Sequence, residues 1–369
     1  MRKVDYLIVG AGIAGLSAAA RLARHGSVVV CEGEDAPGVH ASGRSAAFAH
    51  FDMDAALVRA LTAASLPFLE QPAAKVHPAL FIALEGQEAA LERVLAGYRE
   101  WSPSVEHISA GDARALVPVL RTGDSGVVAA LLDRNGRRLD AHALLELSRR
   151  ELVGAGGEIA VKAPVTAVRH DAGRWIVDTP GESFSARTIV NAAGAWVDAV
   201  ARMAGVAPIG IRPLRRTVIT FDVPGGMDVS RWPFTKTVGP GFYIEPEGRG
   251  RLLACPMDEG PSPPCDAQPE DEDVALAAWR VEQATTLAIP RLASKWAGLR
   301  SFTPDRLPVA GYDRNAPGFF WLAGQGGFGL QTSPAMARAA ESAAAGTPWP
   351  DALRAVGVTA DDLSPARLA

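Results

Sequence analysis

Cysteine is scarce in this chain of 369 residues: Cys31, Cys255 and Cys265 are the whole supply. No two of them form a CxxC pair, and none stands at metal-ligand spacing from a histidine. That argues against a disulfide framework and a structural metal site. They read as reduced thiols of a cytoplasmic protein. A charge excess is also missing, since lysine and arginine total 37 against 41 aspartates and glutamates, a formal net charge of −4. Nucleic acid is therefore not an expected partner. No apolar run reaches the about 20 residues of a membrane helix, which leaves open peripheral contact at the inner membrane. The apolar N-terminus contains Asp5 and a glycine turn, so it does not read as a signal peptide. There is no internal repeat and no low-complexity tract. What remains, 48% hydrophobic and 21% charged, is a globular composition long enough for two or three domains.

The most informative segment is residues 5–32, DYLIVGAGIAGLSAAARLARHGSVVVCE. An apolar strand enters Gly10-Ala-Gly12-Ile13-Ala14-Gly15, an alanine-rich helix follows, and a second strand ends at Glu32. This is a βαβ unit with a dinucleotide fingerprint at its first turn. Gly10 permits the tight turn, Gly12 admits a pyrophosphate close to the backbone, and Gly15 lets helix and strand pack. The helix N-terminus offers N–H groups and partial positive charge to phosphate. Glu32 suits ribose hydroxyls and repels a 2′-phosphate, which disfavours NADP. A glycine- and serine-rich loop follows instead of an immediate third strand. Its Ser42, Gly43, Arg44, Ser45 and Ala46 suit a longer ligand, FAD, which needs a second phosphate- and ribityl-binding segment.

The rest of the chain divides by pattern. Residues 54–70 predict an amphipathic helix with Leu57, Leu61, Ala64 and Phe68 on its inner face. Residues 87–100, a short stretch from Ser109 to Pro118, and 141–154 capped by Asp140 predict further helices. Short strands follow at 158–161, 165–169 and 175–179. Two more tight turns, VNAAGAW (190–196) and GQGGFGLQ (324–331), again bring backbone close to a ligand. Strands at 212–221, 241–246 and 251–255 suggest a second sheet. Residues 256–270 read as a surface loop, 271–288 as a helix, and 348–369 as a surface tail.

Together GAGIAG with Glu32, HASGRSAAF, VNAAGAW and GLRSFTPDRLPVAG…GQGGFGLQTSPA resemble the D-amino-acid oxidase superfamily of FAD enzymes. Several segments, among them WAGLRSF (296–302), look very similar to its bacterial D-arginine dehydrogenases. The resemblance implies an α/β protein: a discontinuous Rossmann-like FAD-binding domain (1–75, 139–207 and 296–369) and a smaller sheet-based α+β substrate domain (76–138 and 208–295). It implies noncovalent FAD, because no cysteine follows Cys265 to hold it. It adds Val165, Ala192, Gly194, Gly326, Phe328, Gly329, Leu330 and Thr332 to the cofactor-binding set. It further implies oxidation of a substrate Cα–N bond to an imine by hydride transfer to flavin N5. Arg300 matches the family's carboxylate-binding arginine, a planar fork suited to two oxygens. Arg216, with Arg215 as its rival, and Tyr243 match further carboxylate contacts. Gly327 and Gln331 match positions near flavin and substrate, and His50 is the ionisable candidate to accept a proton. The electron acceptor is a quinone or oxygen.

The chain departs from the D-arginine pattern. Phe48, His50 and Met53 stand where that enzyme carries a histidine, a threonine and a lid tyrosine. Its guanidinium-binding acid matches an apolar position here, about Ala79. A guanidinium buried without a counter-charge is costly. With Phe48, Phe51, Met53 and Phe81 nearby, the expected substrate is a more apolar D-amino acid or related amine. A secondary amine such as proline or an N-methyl amino acid stays open. So do a 2-hydroxy acid, for which His50 would be the base, and a flavin-binding protein without turnover.

Overall fold

The computed structural model describes residues 1–102, 104–123 and 126–368. The first strand, Arg2–Val9, lies inside a largely parallel sheet, between Val28–Cys31 and Ser183–Asn191. Glu158–Ala160 continues the sheet on one side and Phe319–Ala323 on the other, both in parallel. The strands Ala167–Asp171, Arg174–Asp178 and Val309–Tyr312 add antiparallel edges. Strands covered on both faces need not alternate, which explains the unbroken Leu7-Ile8-Val9. Helices Ile13–Leu22, Ala141–Gly154 and Gly329–Ala345 cover one face, and Val197–Met203 helps cover the other. Alanines at 18, 19 and 20 let the first of these helices pack closely. Asp140 caps the second, its carboxylate accepting from the Ala143 N–H at 2.9 Å. In the third, Pro334 cannot donate to the Leu330 carbonyl, and the Ser333 hydroxyl donates to it instead at 2.9 Å.

Among the described residues the second sheet has nine strands. Ala79–Leu84, Val105–Ser109 and Val127–Asp133 form one end, and Phe234–Thr237, Tyr243–Pro246, Arg251–Cys255 and Arg212–Asp222 continue it. Ser294–Phe302 pairs antiparallel with Arg212–Asp222 over nine positions. The fold is thus α/β, a Rossmann-like sheet with its helices joined to a second, sheet-based layer. Ser294–Phe302 belongs by pairing to the second sheet, whereas the sequence division placed residues from 296 onward with the cofactor-binding segments.

Other expectations also shift. The helix expected over 54–70 runs only from Ala56 to Ser65, and a 3-10 turn containing Pro67 follows it. Phe68 therefore leaves the inner face and is exposed, with Arg338 over its ring. The strand expected at 165–169 begins at Ala167. The helix expected to reach 288 stops at Ala284, where Thr285 is extended. The C-terminal tail is not merely surface, because Leu353, Val358 and Leu363 are buried against the first domain's core. The strands within 79–133 went unread. Their pattern is masked because Ala79–Ala83 are all buried and show no alternation.

Candidate active site

A cavity of about 1240 Å³ opens between the two sheets, larger than the about 300–1,000 Å³ of pockets for drug-sized ligands. One wall is the βαβ turn. Gly10 has φ +98°, and a Cβ there would lie 2.8 Å from the Ala192 carbonyl oxygen. A Cβ at Gly15 would lie 1.9 Å from the Gly10 oxygen, so the helix can start against this turn only with glycine. Gly10, Gly12, Ile13 and Ala14 line the cavity, and Gly15 supports them from behind. Glu32 sits at the end of its strand, its carboxylate oriented by the Ala11 N–H at 2.7 Å and the Glu34 N–H at 3.0 Å. Ser42 Oγ accepts the Ile13 N–H at 2.9 Å, so that donor is not simply free, as the sequence suggested.

The second expected cofactor segment is reached in part. Ser42, Arg44, Ser45 and Ala46 line the cavity, as do Val165, Ala192 and Gly194. Gly43 does not: it turns the loop, and a Cβ there would lie 2.5 Å from the Gly38 oxygen. Arg44 aims its guanidinium away, at Asp266, the Ala267 carbonyl (2.9 Å) and the Ala297 carbonyl (3.1 Å). It ties the cofactor loop to the second sheet rather than offering its charge to a phosphate. Gly326, Phe328, Gly329 and Leu330 line the cavity where the helix Gly329–Ala345 begins, with its N-terminal end toward the space. Thr332 lies outside, its hydroxyl donating to the Phe328 carbonyl at 2.8 Å. Gln325 Nε2, buried beside this turn, has no partner. The glycine cradle, the carboxylate at the strand end, the orphaned amide and the size of the space fit FAD.

Sheet register explains the opposite wall. Arg216 pairs with Gly298 and Arg300 with Leu214, so both arginines share one face of the ladder. Arg215 falls on the other face and pairs with Glu270 and Asp273, so of the two rivals Arg216 is the one that lines the cavity. Tyr243 faces the same cavity. Burial and the neighbouring Cys255 push its hydroxyl well above the usual tyrosine range, so it stays a donor. Burial and the charge of Arg216 pull Arg300 down to about 10, opposed by Glu259, and it remains a cation at neutral pH. Arg300 lies between the rings of Phe302 and Phe328, 5.3 and 5.4 Å from their centroids.

His50 lines the cavity, with one ring nitrogen already engaged. Its Nδ1 accepts the Asp52 N–H at 3.1 Å, which leaves the neutral ring's proton on Nε2. Burial, with Lys236 and Arg300 adding repulsion, lowers its pKa to about 3. Gln331 also lines the cavity, yet its amide donates to the His50 carbonyl (3.1 Å) and to Thr62 Oγ1 (2.6 Å). It braces the loop rather than facing substrate. Gly327 lies directly beneath Arg300.

Three elements of the site were not read from the sequence. Lys236 and Asp52 form an ion pair within the cavity lining. The alternation of Phe234 and Lys236 on a short strand was the available signal, and Lys236 pairs across the ladder with Tyr243. Glu259 and Arg306 add an acid and a third guanidinium. Glu259 was hidden because a Pro/Asp/Glu-rich stretch reads as solvated surface. Ala79 is fully buried in its strand and does not line the cavity, so the loss of an acid there says nothing about the pocket. Phe51 and Phe81 likewise stand behind the lining, in contact with Tyr98.

The family profile described as "DAO: FAD dependent oxidoreductase" matches residues 5–342, and the chain belongs to that family. Among curated relatives, it is 26% identical to the uncharacterized oxidoreductase YurR of Bacillus subtilis (strain 168), over 64% of this chain and 62% of that one. It is 24% identical to the glycine oxidase of Geobacillus kaustophilus (strain HTA426), over 62% and 59% of the two chains. The matched region thus spans about three fifths of these relatives. Among solved structures, L-proline dehydrogenase from P. horikoshii superposes with a TM-score of 0.83 at 20% identity, covering 99% of this chain and 98% of that one. No helix among the described residues is long and apolar enough to cross a membrane.

Proposed function

We propose that this enzyme oxidises the Cα–N bond of a small amino acid, a D-amino acid or a related secondary amine, to the imine. The observation that carries this is the convergence of Arg216, Arg300 and Tyr243 on one wall of the cavity that the glycine turns also line. Two guanidiniums and a protonated phenol suit a carboxylate. Bound flavin would supply the hydride acceptor. The protein's own part is to fix the carboxylate, and with it the Cα–H, in a single orientation, which accounts for a large share of the rate. The cofactor would rest on Gly10, Gly12, Glu32, Ser42, Ala46, Val165, Ala192, Gly194 and the turn Gly326–Leu330.

The D-configuration rests on the motif likeness to D-arginine dehydrogenases. The similarity to a glycine oxidase and the fold shared with a proline dehydrogenase support a secondary amine equally well. D-Arginine itself is disfavoured. Asp52 is already paired with Lys236, so an incoming guanidinium would meet a cation rather than a free acid. Phe48, Met53, Phe234 and Phe328 favour a neutral side chain. A 2-hydroxy acid is disfavoured because it needs a base at its hydroxyl and His50 is not one. Anaerobic mixing of the yellow holoenzyme with D- and L-amino acids, N-methyl amino acids and 2-hydroxy acids is the test. Bleaching by amino acids supports the proposal. Bleaching by hydroxy acids alone refutes it, and no bleaching by any compound leaves only a flavin-binding protein.

A further inference from the structure

Glu259 holds a place that the reaction does not require. Its Oε1 accepts from Arg216 Nη2 at 3.2 Å, Arg300 Nη1 at 3.2 Å and Arg306 Nη2 at 3.0 Å, and its Oε2 accepts from Arg306 at 3.1 Å. Three guanidiniums thus meet one carboxylate, leaving a positive excess on this wall that the neighbouring Asp258 offsets only in part. Donors are also left over: Arg216 Nε is buried with no partner. Arg306 is held in place by stacking on Phe302, 3.9 Å from the ring centroid.

The backbone around Glu259 is pinned on both sides. Asp258 accepts from the Thr217 N–H at 2.9 and 3.0 Å and from the Thr217 hydroxyl at 3.0 Å. Gly260 pairs with Arg215 in the sheet. Glu259 therefore does not ride on a loop that swings away. Its carboxylate is part of the wall.

We infer that this wall is an anion site for two carboxylates, one supplied by the chain as Glu259 and one by the substrate, and that Glu259 selects substrates with a single carboxylate. The inference rests on the amino-acid function proposed above and narrows its substrate class. A second substrate carboxylate would meet Glu259 as a like charge, which is discrimination by repulsion. Without Glu259, Arg306 and part of Arg216 would stand unpaired and ready to take that second group.

The test compares wild-type holoenzyme with Glu259→Gln, and with Glu259→Ala as a second charge-removing variant should the amide misfold. Calorimetric titration with acetate and propionate, then malonate, succinate and glutarate, reads the anion site without turnover. Either variant is expected to raise dicarboxylate affinity relative to monocarboxylate by ten-fold or more. The kcat/KM ratio of D-aspartate and D-glutamate to D-alanine should shift the same way. Adding Arg306→Met to either variant should abolish the gain. An unchanged ratio in flavin-loaded variants, or a wild type that already prefers dicarboxylates, overturns the inference. A protein that shows this anion selectivity yet oxidises no amine would refute the proposed function alone.

Discussion

The guanidinium of Arg300 lies against Gly327 so closely that a Cβ on the glycine would fall 1.8 Å from Nη2 and 2.0 Å from Nε. The glycine turn that opens the last long helix therefore has two duties. It presents backbone to the cavity and makes room for the Arg300 guanidinium. Gly327→Ala should displace the arginine and lower kcat/KM by about 100-fold, the usual cost of a misplacement of about 1 Å. Flavin content, read from absorbance, should fall far less.

Arg300 and Arg215 should differ sharply in effect. Truncating one partner of a buried charge pair costs about 2–5 kcal/mol. Arg300→Met is thus expected to lower kcat/KM for amino acids by about 100- to 1,000-fold, chiefly through KM. Arg215→Met, on the far face of the paired strand, should change KM by less than about two-fold, because Arg215 serves Glu270 and Asp273. Steady-state kinetics on the two variants checks this.

With a pKa near 3 and Nδ1 already accepting a hydrogen bond, His50 does not titrate in the working range. The pH dependence of kcat/KM should rise as the substrate amine loses its proton. It should keep the same midpoint in His50→Gln, even if the rate falls. A midpoint displaced in that variant would restore His50 as the proton acceptor.

Glu245 is fully buried in the second sheet beside Arg138, at 2.8 Å, yet neither carboxylate oxygen makes a well-aligned hydrogen bond. Burial raises its pKa from 4.5 to about 7. The folded protein thus holds this proton more tightly than the unfolded chain does. The stabilisation is complete below about pH 4.5 and is lost as pH rises through 7, for a total of about 3 kcal/mol. Denaturant unfolding from pH 5 to 8 should show this decline in wild type and a flatter profile in Glu245→Gln.

Much of the cofactor half was legible in the sequence because its determinants are local. Gly10, Gly12, Gly15 and Glu32 lie within one βαβ unit, and each follows from backbone sterics or charge. Gly43 and Thr332 lie outside the cavity lining, and Arg44 lines it with its guanidinium turned to Asp266, because motif membership does not say which way a side chain points. The substrate half depends on register between distant strands. That Arg216 and Arg300 share a face while Arg215 does not is decided by pairing across more than 80 residues of chain. The Lys236–Asp52 pair spans 184 residues and Glu259–Arg306 spans 47, so neither leaves a periodic trace.

The most direct measurement is anaerobic single-turnover reduction of flavin-loaded wild type and Arg300→Met by one amino acid, followed at the visible flavin band. Rapid bleaching of the wild type is expected, and the variant, equally yellow, should bleach at least about 100-fold more slowly at the same subsaturating concentration. Equal bleaching of the two would show that the carboxylate is not held by this guanidinium, and the account of the site would fail.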